Sequence, residues 1–297
     1  MKNLPFFGSG VALVTPFTND NKLDFECLEQ LINMHIKHKT DAIVVCGTTG
    51  EASTLSDDEQ EALIDFSVKC ADGKIPIIAG AGSNNTEALI KKAKRAESVG
   101  ADAILSVTPF YNKANSDGIA EHYKSLCNAV SLPIIVYNVP QRTGMAVSVK
   151  DLKNLYKIEN IVGIKEASGD VSFVSKIRYE MPEIGVYSGN DDICVPIMSL
   201  GGVGVISVCA NIFPEEMHQI CALMSMGNVL EAQKLQVGIS KVIEALFCEV
   251  NPIPVKNAMR ALGYHVGKTR LPLGKMNEEK YKNMMQVLYD YGAKKLN

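Results

Sequence analysis

Eight short apolar runs, each followed by a longer amphipathic stretch, constrain this chain more than any other feature. They are GVALVTPF, AIVVCG, IPIIAG, AILSVTPF, PIIVYN, IVGIKE, GVYSGN and GVGVISV. They recur every 25 to 35 residues or so, roughly the strand-then-helix spacing of a parallel sheet. Eight strands with eight crossovers in about 225 residues suit a closed (β/α)8 barrel better than a doubly wound sheet, which has fewer strands and a glycine-rich first turn. Neither GxGxxG nor GxxxxGK[ST] occurs, so the simple nucleotide-binding readings fall away. The expected fold is α/β: a (β/α)8 barrel over residues 1–225, and a C-terminal helical extension over 226–297 that packs on the barrel and is broken at Pro252 and Pro254.

Several crossover helices carry their own start signals. Ser56 with Glu59, and Asn84 with Glu87, fit capping boxes, while Pro214 followed by Glu215 and Glu216 suits a first turn. Leu89, Ala93 and Ala96 form an apolar stripe that closes at Gly100. The uncharged window from Ile193 to Pro214 is long enough to raise a membrane span, but Pro196, Gly201, Gly202 and Gly204 divide it into a buried helix, a turn and a strand.

Charge narrows the partners. Lysine plus arginine (30) nearly balance aspartate plus glutamate (33), for a formal charge of −3, which favours a small molecule over nucleic acid or an anionic membrane. Eight cysteines are scattered without a CxxC pair, as thiols of a reducing cytosol are. The N-terminus, with Lys2 and then Pro5, Gly8 and Gly10, does not read as a signal peptide. A soluble, cytoplasmic protein is expected. Of five histidines, His35 and His38 lie three apart on a helix without a third ligand, so they read as a solvated face and no metal site is expected. MHQICALMSM reads as core packing.

In a barrel of this kind chemistry gathers at the carboxyl ends of the strands. Lys165 follows IVGI, Thr48 and Thr49 follow AIVVC, Tyr111 follows AILSVTPF, Tyr137 lies on PIIVYN, and Gly189 follows GVYS. An ordinary lysine titrates near pH 10.4, and a partly buried, unpaired one loses enough charge stabilisation to become a nucleophilic amine that adds to a ketone. On its segment alone, Lys165 is equally well a strand-end lysine with its head in water. Glu166 should point to the opposite face. The GTTGE turn offers hydroxyls and N–H groups to a small carboxylate, Tyr137 can pass a proton or fill a core hydrogen bond, and Arg142 offers a planar fork. No Ser-His-Asp or Cys-His set can be placed at strand ends.

Taken together, GTTGE, TPFYNK, YNVPQRTG, GIKEAS and SGNDD resemble the dihydrodipicolinate synthases, or 4-hydroxy-tetrahydrodipicolinate synthases, of the pyruvate-dependent aldolase superfamily. The resemblance spans essentially the whole chain and implies the remaining roles. Lys165 would form a Schiff base with pyruvate. Thr49, Tyr137 and Tyr111 would form a proton relay, Tyr111 acting across a subunit interface. Thr48 and Thr49 would hold the pyruvate carboxylate, Gly189 and Ile206 would line the site by backbone groups, and Arg142 would receive the carboxylate of L-aspartate 4-semialdehyde. The resemblance also implies no metal or organic cofactor and a homo-oligomer, at least a dimer for Tyr111 to act across and a dimer of dimers by preference. A hydroxyproline-catabolic or keto-sugar-acid aldolase is the alternative, though sialic-acid lyases and sugar-acid aldolases typically have GSTGE-like turns and lack the arginine. Members inhibited by lysine carry histidines on the helix after GTTGE and a tyrosine before the interface tyrosine. Asp57, Gln60 and Phe110 stand there in this chain, so feedback by lysine is expected to be weak or absent.

Overall fold

The computed structural model describes residues 2–295. Among them, eight parallel strands close in sequence order into one barrel: β1 (Gly8–Ala12), β2 (Ala42–Val45), β3 (Ile77–Gly80), β4 (Ala103–Val107), β5 (Ile134–Asn138), β6 (Ile161–Glu166), β7 (Gly185–Ser188) and β8 (Gly204–Ser207). β1 pairs with both β2 and β8, which completes the ring. The fold is the expected barrel with helices between strands and further helices after it.

Alternation along each strand separates two layers. Ala42, Val44, Ile78, Leu105, Ile135 and Ile206 pack together in the barrel interior, while Ile43, Val45 and Ile77 join the outer core beneath the helices. Burial of strands on both faces explains their nearly continuous apolar character. β6 departs from strict alternation in a consequential way. Between Ile134 and Ile135 the β5–β6 ladder slips, and the partner passes from Ile161 to Gly163. Without that slip Lys165 would share a face with Ile161; with it, Ile161 and Ile164 both pack outward and Lys165 turns inward, level with Tyr137 and Tyr187 on the neighbouring strands.

The helices begin at the starts expected for them, with one departure. Ser56 and Glu59 make the full capping box of helix Asp57–Ala71, and Pro214 opens Pro214–Ser225. Helix Thr86–Ser98 buries Leu89, Ala93 and Ala96 as foreseen, but its cap is Asn85, which accepts from the Ala88 N–H, and not Asn84. His35 does not lie on a solvated face: it is fully buried, with Nδ1 2.9 Å from Thr40 Oγ1, and burial pushes its pKa down to about 3. The Ile193–Pro214 window resolves into a short helix Cys194–Ser199, a glycine turn and β8. No helix of the described residues is long and apolar enough to cross a membrane.

The later helices, Val229–Gly238, Ser240–Leu246, Ile253–Ala261 and Glu278–Tyr291, share the barrel's outer core. Val242, Leu246, Val255, Met259 and Leu288 pack in one cluster with Val11, Leu31 and Ile43. This continuity places residues 251–273 over the carboxyl end of the barrel.

Candidate active site

The GTTGE turn after β2 is built around unusual backbone. Gly80 on β3 passes so close beneath it that a side chain there would overlap the Cys46 carbonyl. Glu51 holds a left-handed conformation, φ 55°, of a kind that costs about 1–3 kcal/mol for a non-glycine residue unless its surroundings impose it. Here they do. The Glu51 carboxylate accepts from Lys256 Nζ at 2.8 Å and from the Arg270 N–H at 2.8 Å. Lys256 and Glu51 are buried to 1% and 0% side-chain exposure. Lys256 also donates to the carbonyls of Thr15 and Lys268 and lies over the Phe17 ring. The turn is thus gripped by residues some 200 positions later in the chain.

Lys165 is 5% exposed. Its Nζ sits 4.4 Å from the centre of the Tyr137 ring. Burial holds its pKa down to about 8, the Asp191 carboxylate pulling it up and the Arg142 guanidinium pushing it down. Asp191 is itself buried. It accepts through Oδ2 from the N–H groups of Val208 and Cys209 at 3.0 and 2.9 Å, and burial raises its pKa. Glu166 points away from Lys165, taking the Asn138 amide at 2.7 Å and the Ser168 N–H at 2.6 Å. Tyr137 is nine-tenths buried. Burial raises its pKa, against the pull of the Arg142 charge and of the nearby Thr48 hydroxyl.

A cavity of about 390 Å³ opens at this end of the barrel, walled by Thr48, Tyr137, Val139, Arg142, Asn251 and Leu273 among others. That is room for a small metabolite. Among the described residues no cluster of His, Cys, Asp and Glu is placed to hold a metal ion.

The structure brings Lys165, Tyr137, Thr48 and Arg142 into one neighbourhood. The Thr48 hydroxyl lies beside the Tyr137 phenol, and the Thr49 hydroxyl accepts from the Asn251 amide at 2.9 Å. Tyr111 lies outside this chain's own site: it is 90% exposed, on a left-handed backbone with φ 69°. Gly189 donates its N–H to the Glu166 carbonyl at 2.7 Å. The Ile206 side chain packs in the barrel interior with Tyr137 and Tyr187. Sequence reasoning missed Asn251, Lys256, Glu51 and Asp191. The only local hints were a polar residue before the Pro252 break and the acidic pair in SGNDD.

Comparison with known proteins gives the family. The model of the dihydrodipicolinate synthetase family matches residues 5–290. The chain belongs to that family. A 4-hydroxy-tetrahydrodipicolinate synthase of Caldicellulosiruptor bescii is 51% identical over 287 residues, 97% of each chain. Among solved structures, dihydrodipicolinate synthase from Aquifex aeolicus superimposes with a TM-score of 0.96 at 40% identity, covering 98% of this chain and 100% of that one. The chloride-inhibited enzyme of Acinetobacter baumannii, solved with pyruvate, gives 0.95 at 43%, covering 97% and 99%. As a dihydrodipicolinate synthetase family member the chain is an enzyme, a lyase of lysine and diaminopimelate biosynthesis with the 4-hydroxy-tetrahydrodipicolinate synthase activity of its relatives.

Proposed function

We propose that Lys165 carries the reaction as a covalent catalyst, condensing pyruvate with L-aspartate 4-semialdehyde. The observation that supports this most is the desolvated Lys165 amine against the Tyr137 ring, with the Thr48 hydroxyl beside the phenol. The neutral amine adds to the C2 carbonyl of pyruvate and, with loss of water, gives an iminium. Tyr137, linked to Thr48, shuttles the protons of addition and dehydration and then takes a methyl proton, leaving an enamine. The enamine carbon attacks the aldehyde, whose oxygen takes a proton through the same pair. The amino group of the second substrate then adds to the iminium carbon and expels Lys165 as the ring closes.

The carboxylate of pyruvate is received by the GTTGE turn, through Thr48 and Thr49, and that of the semialdehyde by Arg142, whose planar fork suits a carboxylate. Tyr111, exposed on this chain, is assigned to the site of a second copy, which makes the working unit at least a dimer and, in our reading, a dimer of dimers in the cytoplasm. The scheme uses no metal or organic cofactor.

Borohydride reduction in the presence of pyruvate should add one pyruvate-derived group to the peptide containing Lys165, and the Lys165→Ala variant should take none. Turnover should require aspartate semialdehyde. An unmodified Lys165, or turnover of keto-deoxy sugar acids instead, overturns the proposal.

A further inference from the structure

Asn251 lies just ahead of helix Ile253–Ala261, 202 positions from the threonine it touches. It is 7% exposed and forms part of the cavity wall. Its amide Nδ2 donates to Thr49 Oγ1 at 2.9 Å, and its main-chain carbonyl accepts from an Arg142 Nη2–H at 3.0 Å. Its Oδ1 is buried with no partner among the described residues. A buried amide oxygen left open costs about 1–3 kcal/mol, and a side chain serving packing alone would not carry that deficit.

A threonine hydroxyl has one hydrogen to give and two lone pairs to receive. Once the Asn251 amide occupies a lone pair, the hydroxyl hydrogen turns away from Asn251 and the oxygen, polarised by the incoming donor, becomes a better donor itself. We propose that Asn251 is a positioning residue that sets Thr49 as a donor to the keto-acid carboxylate, while its main-chain carbonyl holds Arg142 at the distance the second carboxylate requires. One residue then sets the spacing of both anion-binding groups. This inference rests on the assignment of Thr49 and Arg142 to the two substrates.

Because a substitution at Asn251 keeps the main-chain carbonyl, side-chain loss should act on one substrate only. In Asn251→Ala, the KM and Kd for pyruvate should rise about tenfold, as for loss of one hydrogen bond to a charged group. The KM for the semialdehyde should stay within about twofold, as for a site not coupled to the change. Thr49→Val should raise the pyruvate constants similarly, and the double variant should be no worse than the worse single one. Asn251→Asp, which accepts where the amide donates, should bind pyruvate no better than Asn251→Ala. If the two single effects multiply, if both KM values rise together, or if Asn251→Asp behaves as wild type, the role given to Asn251 is wrong. Should Asn251→Ala not fold, Asn251→Ser takes its place in the same cycle. Borohydride trapping on the wild-type chain separates the two readings: no adduct overturns the proposed function, whereas an adduct with multiplying effects overturns the positioning role alone.

Discussion

The charge state of Lys165 is the most exposed point of the proposed chemistry. A fall from 10.5 to about 8 corresponds to about 3 kcal/mol of disfavoured charge. At pH 7 it raises the neutral fraction from roughly one amine in three thousand to about one in eleven, close to 300-fold. The perturbation is pH itself, and the assay is the initial rate of adduct formation with saturating pyruvate, trapped by cyanoborohydride and counted by mass spectrometry. The rate should climb about tenfold per pH unit up to near pH 8 and then level off, as the deprotonated amine saturates. In Asp191→Asn the carboxylate that pulls the amine's pKa upward is gone, so the bend should move to lower pH. A rate still climbing in proportion to hydroxide at pH 9.5 would mean an amine of ordinary basicity, and the argument from burial would fail.

Further outcomes follow from the same groups. Below about pH 8 Lys165 is charged in both folded and unfolded chains, so the folded state bears the full penalty; between pH 8 and 10.5 only the unfolded chain stays protonated and the penalty fades. Lys165→Met should therefore melt several degrees above wild type at pH 7 and close to it at pH 10.5, and an unchanged or lower melting temperature at pH 7 would contradict the cost assigned to the buried amine. Lys256→Met strands a carboxylate that is 0% exposed and should cost about 3–5 kcal/mol in urea unfolding, most of it recovered when Glu51→Gln is added; a loss under about 1 kcal/mol would show that the pair is not buried in solution. Free lysine should inhibit weakly or not at all, since Asp57 is paired with Lys91 at 3.2 Å and the Gln60 amide is turned to the Ala52 and Leu55 carbonyls. Submillimolar inhibition in a steady-state titration would refute this.

The barrel was legible because its determinants are local: a run such as AIVV is apolar on both faces wherever it occurs, and the spacing of eight such runs admits few topologies. Boundaries were less so. GVALVTPF reads as one strand, yet β1 ends at Ala12, because Leu13, Val14 and Phe17 are buried loop residues with the same composition as strand residues. Of the two adjacent asparagines, 84 and 85, either could cap a helix, and only the backbone decides. Lys165 faces inward for a reason no periodicity reveals, since the slip opposite Ile134–Ile135 turns it in. The Thr49 hydroxyl meets Asn251, a partner two hundred residues away, and contacts of that reach leave no mark on the spacing of a motif.

The grip of the late residues on the GTTGE turn has a consequence for synthesis. When Ser207 leaves the ribosome all eight staves of the barrel exist, but Asn251, Lys256 and Arg270 do not yet, and Glu51 has neither its ammonium nor its main-chain partner. A growing polypeptide thus carries its nucleophile well before it carries a finished receptacle for keto acids, and competence waits until Arg270 has been made.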